Sequence, residues 1–287
     1  AYALLRSLVG SEMCIRDRNS GCRYDHLNPN LIMNLNSLLD QAKIAASMAS
    51  EEILKVYQSD DFEIKAKNDQ SPLTRADHAA HQVIASILEK TDIPILSEEG
   101  PLIPYSRRKK WETFWMIDPL DGTKEFIKKN GEFTVNIALI HHHEPIIGVV
   151  QRPVTNDLYY ASKASGAQKN GKNIQCAAFD LHQSGIKVVA SRSHLNPETQ
   201  VFLDTLINPK IISKGSSLKL MIVAEGEAHL YPRFAPTMEW DTAAAQIIVE
   251  EAGGKVFIQN SKMRVHYNKE NLLNPFFLVQ GKEKTAH

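Results

Sequence analysis

The feature that most restricts this chain is Trp115-Met116-Ile117-Asp118-Pro119-Leu120-Asp121-Gly122-Thr123, an apolar run that passes directly into two acids, a proline and a glycine. Residues 114–117 predict a buried strand, and Pro119 is expected to stop it and hold Asp118 extended. Gly122 permits a sharp turn that brings backbone N–H groups toward an anion. Asp118, the Leu120 carbonyl and Asp121 are then placed to face one hard cation, because magnesium takes oxygen ligands and keeps part of its water shell. Taken alone, Asp121-Gly122 would read as an ordinary turn.

Two further strings repeat the arrangement. Leu96-Ser97-Glu98-Glu99-Gly100 puts a carboxylate pair after a predicted strand at 93–96, and Trp240-Asp241-Thr242-Ala243-Ala244 opens an apolar helix with an acid. Each acid also has a plainer use. Asp241 can cap its helix, worth about 1 kcal/mol, Glu98 can sit in solvent, and Asp77 can close a capping box with Thr74. If the acids converge they need counter-charge, since two carboxylates about 4 Å apart repel by roughly 4 kcal/mol at an effective dielectric near 20.

Periodicity sets the frame around these strings. Leu35, Leu38, Ala42, Ala45, Ala49, Ile53 and Val56 recur at helical spacing from Met33 to about Gln58, with Asn34 or Asn36 as cap, and a second helix follows Thr74. Runs at 133–140, 146–150 and 158–161 predict an antiparallel meander. After about residue 180, strands at 186–190, 229–231, 255–258 and 276–279 alternate with helices at 197–207, 217–225 and 242–252. The class expected is α/β, with an α+β first half at 33–165 and an α/β second half at 166–287. Residues 1–32 continue no pattern and are expected to be a non-native or disordered appendage, with Met33 as the true start.

Composition excludes several functions. Lys plus Arg and Asp plus Glu are 33 each, so no basic footprint for a nucleic acid polymer or an anionic membrane exists. No apolar run approaches the roughly 18 residues of a spanning helix. Three cysteines without a C-x-x-C pair give no disulfide framework and suit a reducing, cytoplasmic compartment. Gly166 to Asn173 nearly spells a phosphate-binding P-loop, but Asn173 stands where Ser or Thr should meet magnesium, so a lysine-bearing loop is expected. His141-His142-His143 is expected to be a solvated hairpin tip, since successive side chains point in different directions. No G-x-S-x-G, H-E-x-x-H or G-x-G-x-x-G occurs.

The set Asp77, Glu98-Glu99, 118–123 and 240–244 resembles, in order and spacing, the inositol monophosphatase superfamily of magnesium-dependent, lithium-sensitive phosphatases. The strings 71–77, 118–136, 191–194, 215–219 and 230–234 are similar to its 3′(2′),5′-bisphosphate nucleotidase branch, the CysQ type. The resemblance covers about Met33 to Val279 and implies a layered αβαβα sandwich. It implies that Glu98, Asp118, the Leu120 carbonyl, Asp121 and Asp241 hold two or three Mg2+ ions, with Asp77 supporting a water in their shell. It implies further that Thr123 joins Glu98 in orienting the attacking water, and that Gly122 and Thr123 open a helix whose N–H groups grip the phosphate. Ser191, His194, Gly215 and Lys219 match positions that hold the nucleotide and its second phosphate, with Arg233 a weaker candidate.

The activity expected is hydrolysis of the 3′-phosphate of adenosine 3′,5′-bisphosphate (PAP) to AMP and phosphate, with the sulfated nucleotide PAPS as a further substrate and Li+ as inhibitor. The partner expected is thus a small nucleotide bisphosphate, in the cytoplasm or peripherally on the cytoplasmic face of the inner membrane, with no oligomeric state implied. The rivals are an inositol or sugar phosphate phosphatase of the same superfamily and, from another class, a non-catalytic nucleotide or metal sensor.

Overall fold

A computed structural model describes residues 29–59, 62–66, 72–190 and 195–284. By contact the chain divides after Leu35, and Asn36–His287 form one compact unit. Helix α1 (Pro29–Ser59) takes in the four residues ahead of the expected Met33. Leu38, Ala42, Ala45, Ala49, Ile53 and Val56 form its buried stripe. A short ladder of β1 (Lys65–Ala66) and β2 (Pro72–Leu73) leads to α2 (Arg75–Leu88). The expected cap is present: the N–H and Oγ1 of Thr74 donate to Asp77 Oδ2 at 2.8 and 2.5 Å.

The first large sheet has seven strands in chain order: β3 (Ile95–Ser97), β4 (Thr113–Asp121), β5 (Thr134–His141), β6 (Glu144–Arg152), β7 (Asp157–Ser162), β8 (Ala167–Lys169) and β9 (Lys172–Ile174). Only β3 and β4 are parallel; the remainder is the predicted meander, extended by one more hairpin. That hairpin is the near-P-loop. Asn170 and Gly171 both have positive φ at the tip, the signature of a two-residue type I′ turn, so the stretch is a strand pair and not a free loop. The boundary expected at 165/166 falls inside this sheet, and we propose that the halves part after Ile174. At the β5–β6 tip His142 and His143 are exposed, but His141 is buried and pairs with Thr113 at 2.7 Å.

β10 (Ala178–Phe179) pairs with β16 (Lys282–Glu283). The second large sheet has the order β12 (Lys210–Ile212), β11 (Lys187–Val189), β13 (Leu230–Arg233), β15 (Phe277–Gln280), β14 (Lys255–Ile258), parallel among the first three and antiparallel in the last two. α3 (Tyr105–Arg108) and α4 (Thr123–Ile127) are short, α5 (Pro197–Asp204) packs on β13, and α6 (Leu218–Ala224) and α7 (Glu239–Glu251) lie between the sheets. α7 touches β5, β6 and β7 on one side and β14 on the other, α2 lies on β3 and β4, and Ser47 of α1 reaches Gln151 of β6. The layers run α, β, α, β, α, as expected. Among the described residues no helix is long and apolar enough to cross a membrane.

One contact fixes the central layer. Gly148 of β6 lies so close to α7 that a Cβ there would stand 2.2 Å from the Ala244 carbonyl oxygen and 2.4 Å from Ile247 Cγ2. Nearby, Cys176 is a buried thiol whose pKa burial pushes up to about 12. A neutral thiol is a poor nucleophile, so Cys176 is expected to stay unmodified by iodoacetamide at pH 8 in the native protein and to react on denaturation. Mass analysis of its peptide checks this; rapid native labelling would contradict the buried placement.

Candidate active site

The β4–β5 ladder pairs Asp118 with Asn136 and then Asp121 with Thr134. Three steps on one strand face two on the other, which is a β-bulge. The expectation that Pro119 ends the strand is therefore corrected: β4 continues through Asp121, and the proline sits in the bulge, where a missing N–H breaks no ladder bond. Asp118 is buried and accepts the Leu120 N–H at 3.1 Å. Gly122, at φ +90°, then turns the chain into α4, a backbone state that suits glycine. Thr123 Oγ1 stands 3.3 Å from both Asp77 Oδ1 and the Leu120 carbonyl oxygen, so α2 and the end of β4 meet at the threonine hydroxyl.

Glu98 follows β3 directly, and its N–H donates to the Ile117 carbonyl at 3.1 Å, which brings it beside Asp118. Asp241 comes from the first turn of α7, where its Oδ2 accepts the Met238 N–H at 2.8 Å. It caps the helix and faces the other acids as well. One carboxylate oxygen each from Glu98, Asp118 and Asp241 lie within 4.8 Å of one another. Asp121 stands beside this triad with Oδ2 accepting Ser216 Oγ at 2.5 Å and the Ser217 N–H at 2.6 Å.

The crowding carries an electrostatic cost. Burial raises the Asp118 pKa well above the usual carboxylate range, and Glu98, Asp121, Asp241 and Asp77 raise it further. Burial, then Asp121, pushes Asp241 up to about 8 against the pull of the Met238 N–H. An all-oxygen anionic donor set that repels itself fits a hard divalent cation such as Mg2+. In metal-free protein both acids bind protons more tightly folded than unfolded, so stability falls as pH rises. Melting temperature in chelator is expected to drop between about pH 4 and 8, and added Mg2+ should flatten that slope; a flat profile in chelator would contradict the crowding.

A cavity of about 150 Å³ adjoins the acids, lined by Asp121, Gly122, Ser216 and Asp241, and a larger one of about 670 Å³ includes Lys128, Asn130, Asn196, Lys214, Gly215 and Phe234. Glu125, Lys219, Tyr231 and Arg233 line both. Of the residues expected to hold the nucleotide, Gly215 lines the larger cavity and Lys219 both; Lys219 Nζ donates to the Ser216 carbonyl at 3.3 Å, and the Gly215 N–H donates to Glu132 at 2.7 Å. Ser191 and His194 lie outside the described residues. The expectations did not include Thr134, Asn136 and Ser217, a buried polar group against Asp121. The alternation Thr134-x-Asn136 within an otherwise apolar strand is the signal that could have found them.

Comparison with known proteins agrees with this geometry. A 3′(2′),5′-bisphosphate nucleotidase CysQ of Escherichia coli is 45% identical over 246 residues, which cover 84% of this chain and 99% of that protein. A crystal structure of CysQ from Bacteroides thetaiotaomicron superposes with a TM-score of 0.78 at 44% identity, over 88% of this chain and all of that one. An inositol monophosphatase of Thermotoga maritima shares the fold at a TM-score of 0.71 and 24% identity, over 85% of this chain and 92% of that one. The inositol monophosphatase family model matches residues 34–285. With its acids drawn together from α2, the turn after β3, the end of β4 and the start of α7, the chain belongs to the inositol monophosphatase family.

Proposed function

We propose that this enzyme hydrolyses the 3′-phosphate of adenosine 3′,5′-bisphosphate, giving AMP and phosphate, with PAPS as a further substrate. The observation that carries the reading is the carboxylate cluster of Glu98, Asp118 and Asp241 beside a cavity that shares Lys219 and Arg233 with a larger one. Its relatives named as bisphosphate nucleotidases support the substrate class.

In this reading Glu98, Asp118, the Leu120 carbonyl, Asp121 and Asp241 hold two or three Mg2+ ions. Bound divalent cations supply Lewis-acid polarisation of the phosphoryl group and lower the pKa of water at the site. The protein's own groups do the positioning. The Thr123 hydroxyl donates to Asp77, which leaves its lone pairs to accept from the attacking water, and Glu98 orients that water from the other side. Water adds to phosphorus, the bond to O3′ breaks, and one proton of the attacking water ends on the departing O3′ while the other leaves with the phosphate. Lys219 and Arg233 offset the charge of the second phosphate, and Tyr231 and Phe234, largely buried in the cavity wall, add apolar surface beside the base. Inhibition by Li+ and a cytoplasmic location, free or peripheral on the inner membrane, belong to the same proposal.

Phosphate release from PAP, PAPS, inositol 1-phosphate and fructose 1,6-bisphosphate, each with Mg2+, with chelator and with Li+, tests it. Turnover of PAP that disappears in chelator is expected. Preferential turnover of the inositol or sugar ester would move the reading to another activity of the family, and nucleotide binding without phosphate release would make the protein a sensor.

A further inference from the structure

Ahead of His141 at its end, strand β5 is apolar except for Thr134 and Asn136, which share one face and are wholly buried. Buried hydroxyls and amides must find partners, and these find each other and the loop before α6. Thr134 Oγ1 lies 3.1 Å from Asn136 Oδ1, 2.7 Å from Ser216 Oγ and 2.8 Å from Ser217 Oγ. Ser217 Oγ donates to Asn136 Oδ1 at 2.9 Å, and Asn136 Nδ2 stands 3.4 Å from Asp121 Oδ2.

Proton counting gives the group a direction. The Ser216 hydroxyl spends its proton on Asp121 Oδ2, so towards Thr134 it can only accept. Thr134 has one proton to share among Asn136 Oδ1, Ser217 Oγ and Ser216 Oγ, and Ser216, which can only accept it, passes its own to the carboxylate. Asp121 Oδ2 takes Ser216 Oγ, the Ser217 N–H and Asn136 Nδ2, while Oδ1 enters none of these bonds. The loop has little slack. Ser216 has φ +52°, unusual for a residue with a side chain, and a Cβ at Gly215 would stand 2.9 Å from Glu125 Cγ and the Glu132 carbonyl.

We propose that Thr134 and Asn136 are positioning residues that tie the substrate loop to Asp121, so that nucleotide and divalent cation bind with positive coupling; this rests on the phosphatase reading above. Ser216 and Ser217 line the small cavity and at the same time decide which oxygen Asp121 presents to a cation. A ligand that settles the loop settles the carboxylate, and by linkage the cation must strengthen the nucleotide to the same degree.

The test uses Thr134→Val, close to isosteric but without the hydroxyl, and Thr134→Ser, which keeps it. Mg2+ alone is titrated by its thermal stabilisation of the protein, and AMP is titrated by calorimetry with and without Mg2+. The wild type should bind AMP more tightly with Mg2+ present. In Thr134→Val the Mg2+ midpoint should rise about 10-fold, the usual scale for an outer partner of a ligand, and the Mg2+ effect on AMP affinity should fall towards none. Thr134→Ser should restore both. An unchanged midpoint and coupling in folded Thr134→Val, or a wild type without coupling, would overturn the inference; if the valine variant does not fold, Asn136→Ala carries the same comparison. Absence of PAP turnover in the wild type would instead overturn the phosphatase reading, and the Mg2+ midpoints without nucleotide still decide whether Thr134 positions the ligand.

Discussion

Asp121→Asn is expected to lower PAP turnover by about three orders of magnitude or more while the protein stays folded. In the proposed reading the carboxylate serves two directions at once: Oδ2 holds Ser216 and the Ser217 N–H, and the second oxygen faces a cation. An amide has one oxygen. Turned toward the loop, it presents an NH2 group to the cation; turned the other way, it sets that NH2 against two donors. The substitution also removes a negative charge from a crowded cluster that raises Asp118 and Asp241, so metal-free stability should hold or improve. Phosphate release and a melting curve in chelator measure the two effects, and near-normal turnover by a folded variant would defeat the assignment.

Gly148→Ala is expected to destabilise the protein by about 3 kcal/mol or more, the upper end for overpacking, and to lower the melting temperature by roughly 6–12 °C for a chain of this size. The obstacle at 2.2 Å is the Ala244 carbonyl oxygen, part of the α7 backbone. Trimming Ile247 relieves only the second contact, so Ile247→Ala should not rescue the variant. For the methyl to fit, α7 must move off β6, and Asp241 lies one turn away on the same helix. Loss of Mg2+ affinity in the fraction that folds is therefore expected alongside the lower melting temperature; a variant that melts like the wild type would show that the helix has room to yield.

The acids were legible because each stands where a buried element ends, and that pattern is local. Apolar runs located β4, β5, β6, β7, β14 and α7 within a few residues, since burial writes its period into the chain. The bulge at Pro119 was not legible: proline signals a stop unless the partner strand is known to offer two residues against three. The β8–β9 hairpin escaped because a lysine-rich glycine string looks like a loop until its Asn170-Gly171 tip is weighed as a turn. Thr134 and Asn136 escaped for another reason. A buried polar side chain is explained by its partners, and theirs, Ser216 and Ser217, lie some eighty residues away.

Asp77 and Asp241, two members of one carboxylate cluster, enter from helices far apart in the sequence. During synthesis Asp77, Glu98, Asp118 and Asp121 leave the ribosome long before the helix that completes them. A nascent or truncated polypeptide lacking α7 lacks Asp241, and in the proposed reading its centre for cleaving an ester stays unfinished until that helix has been made.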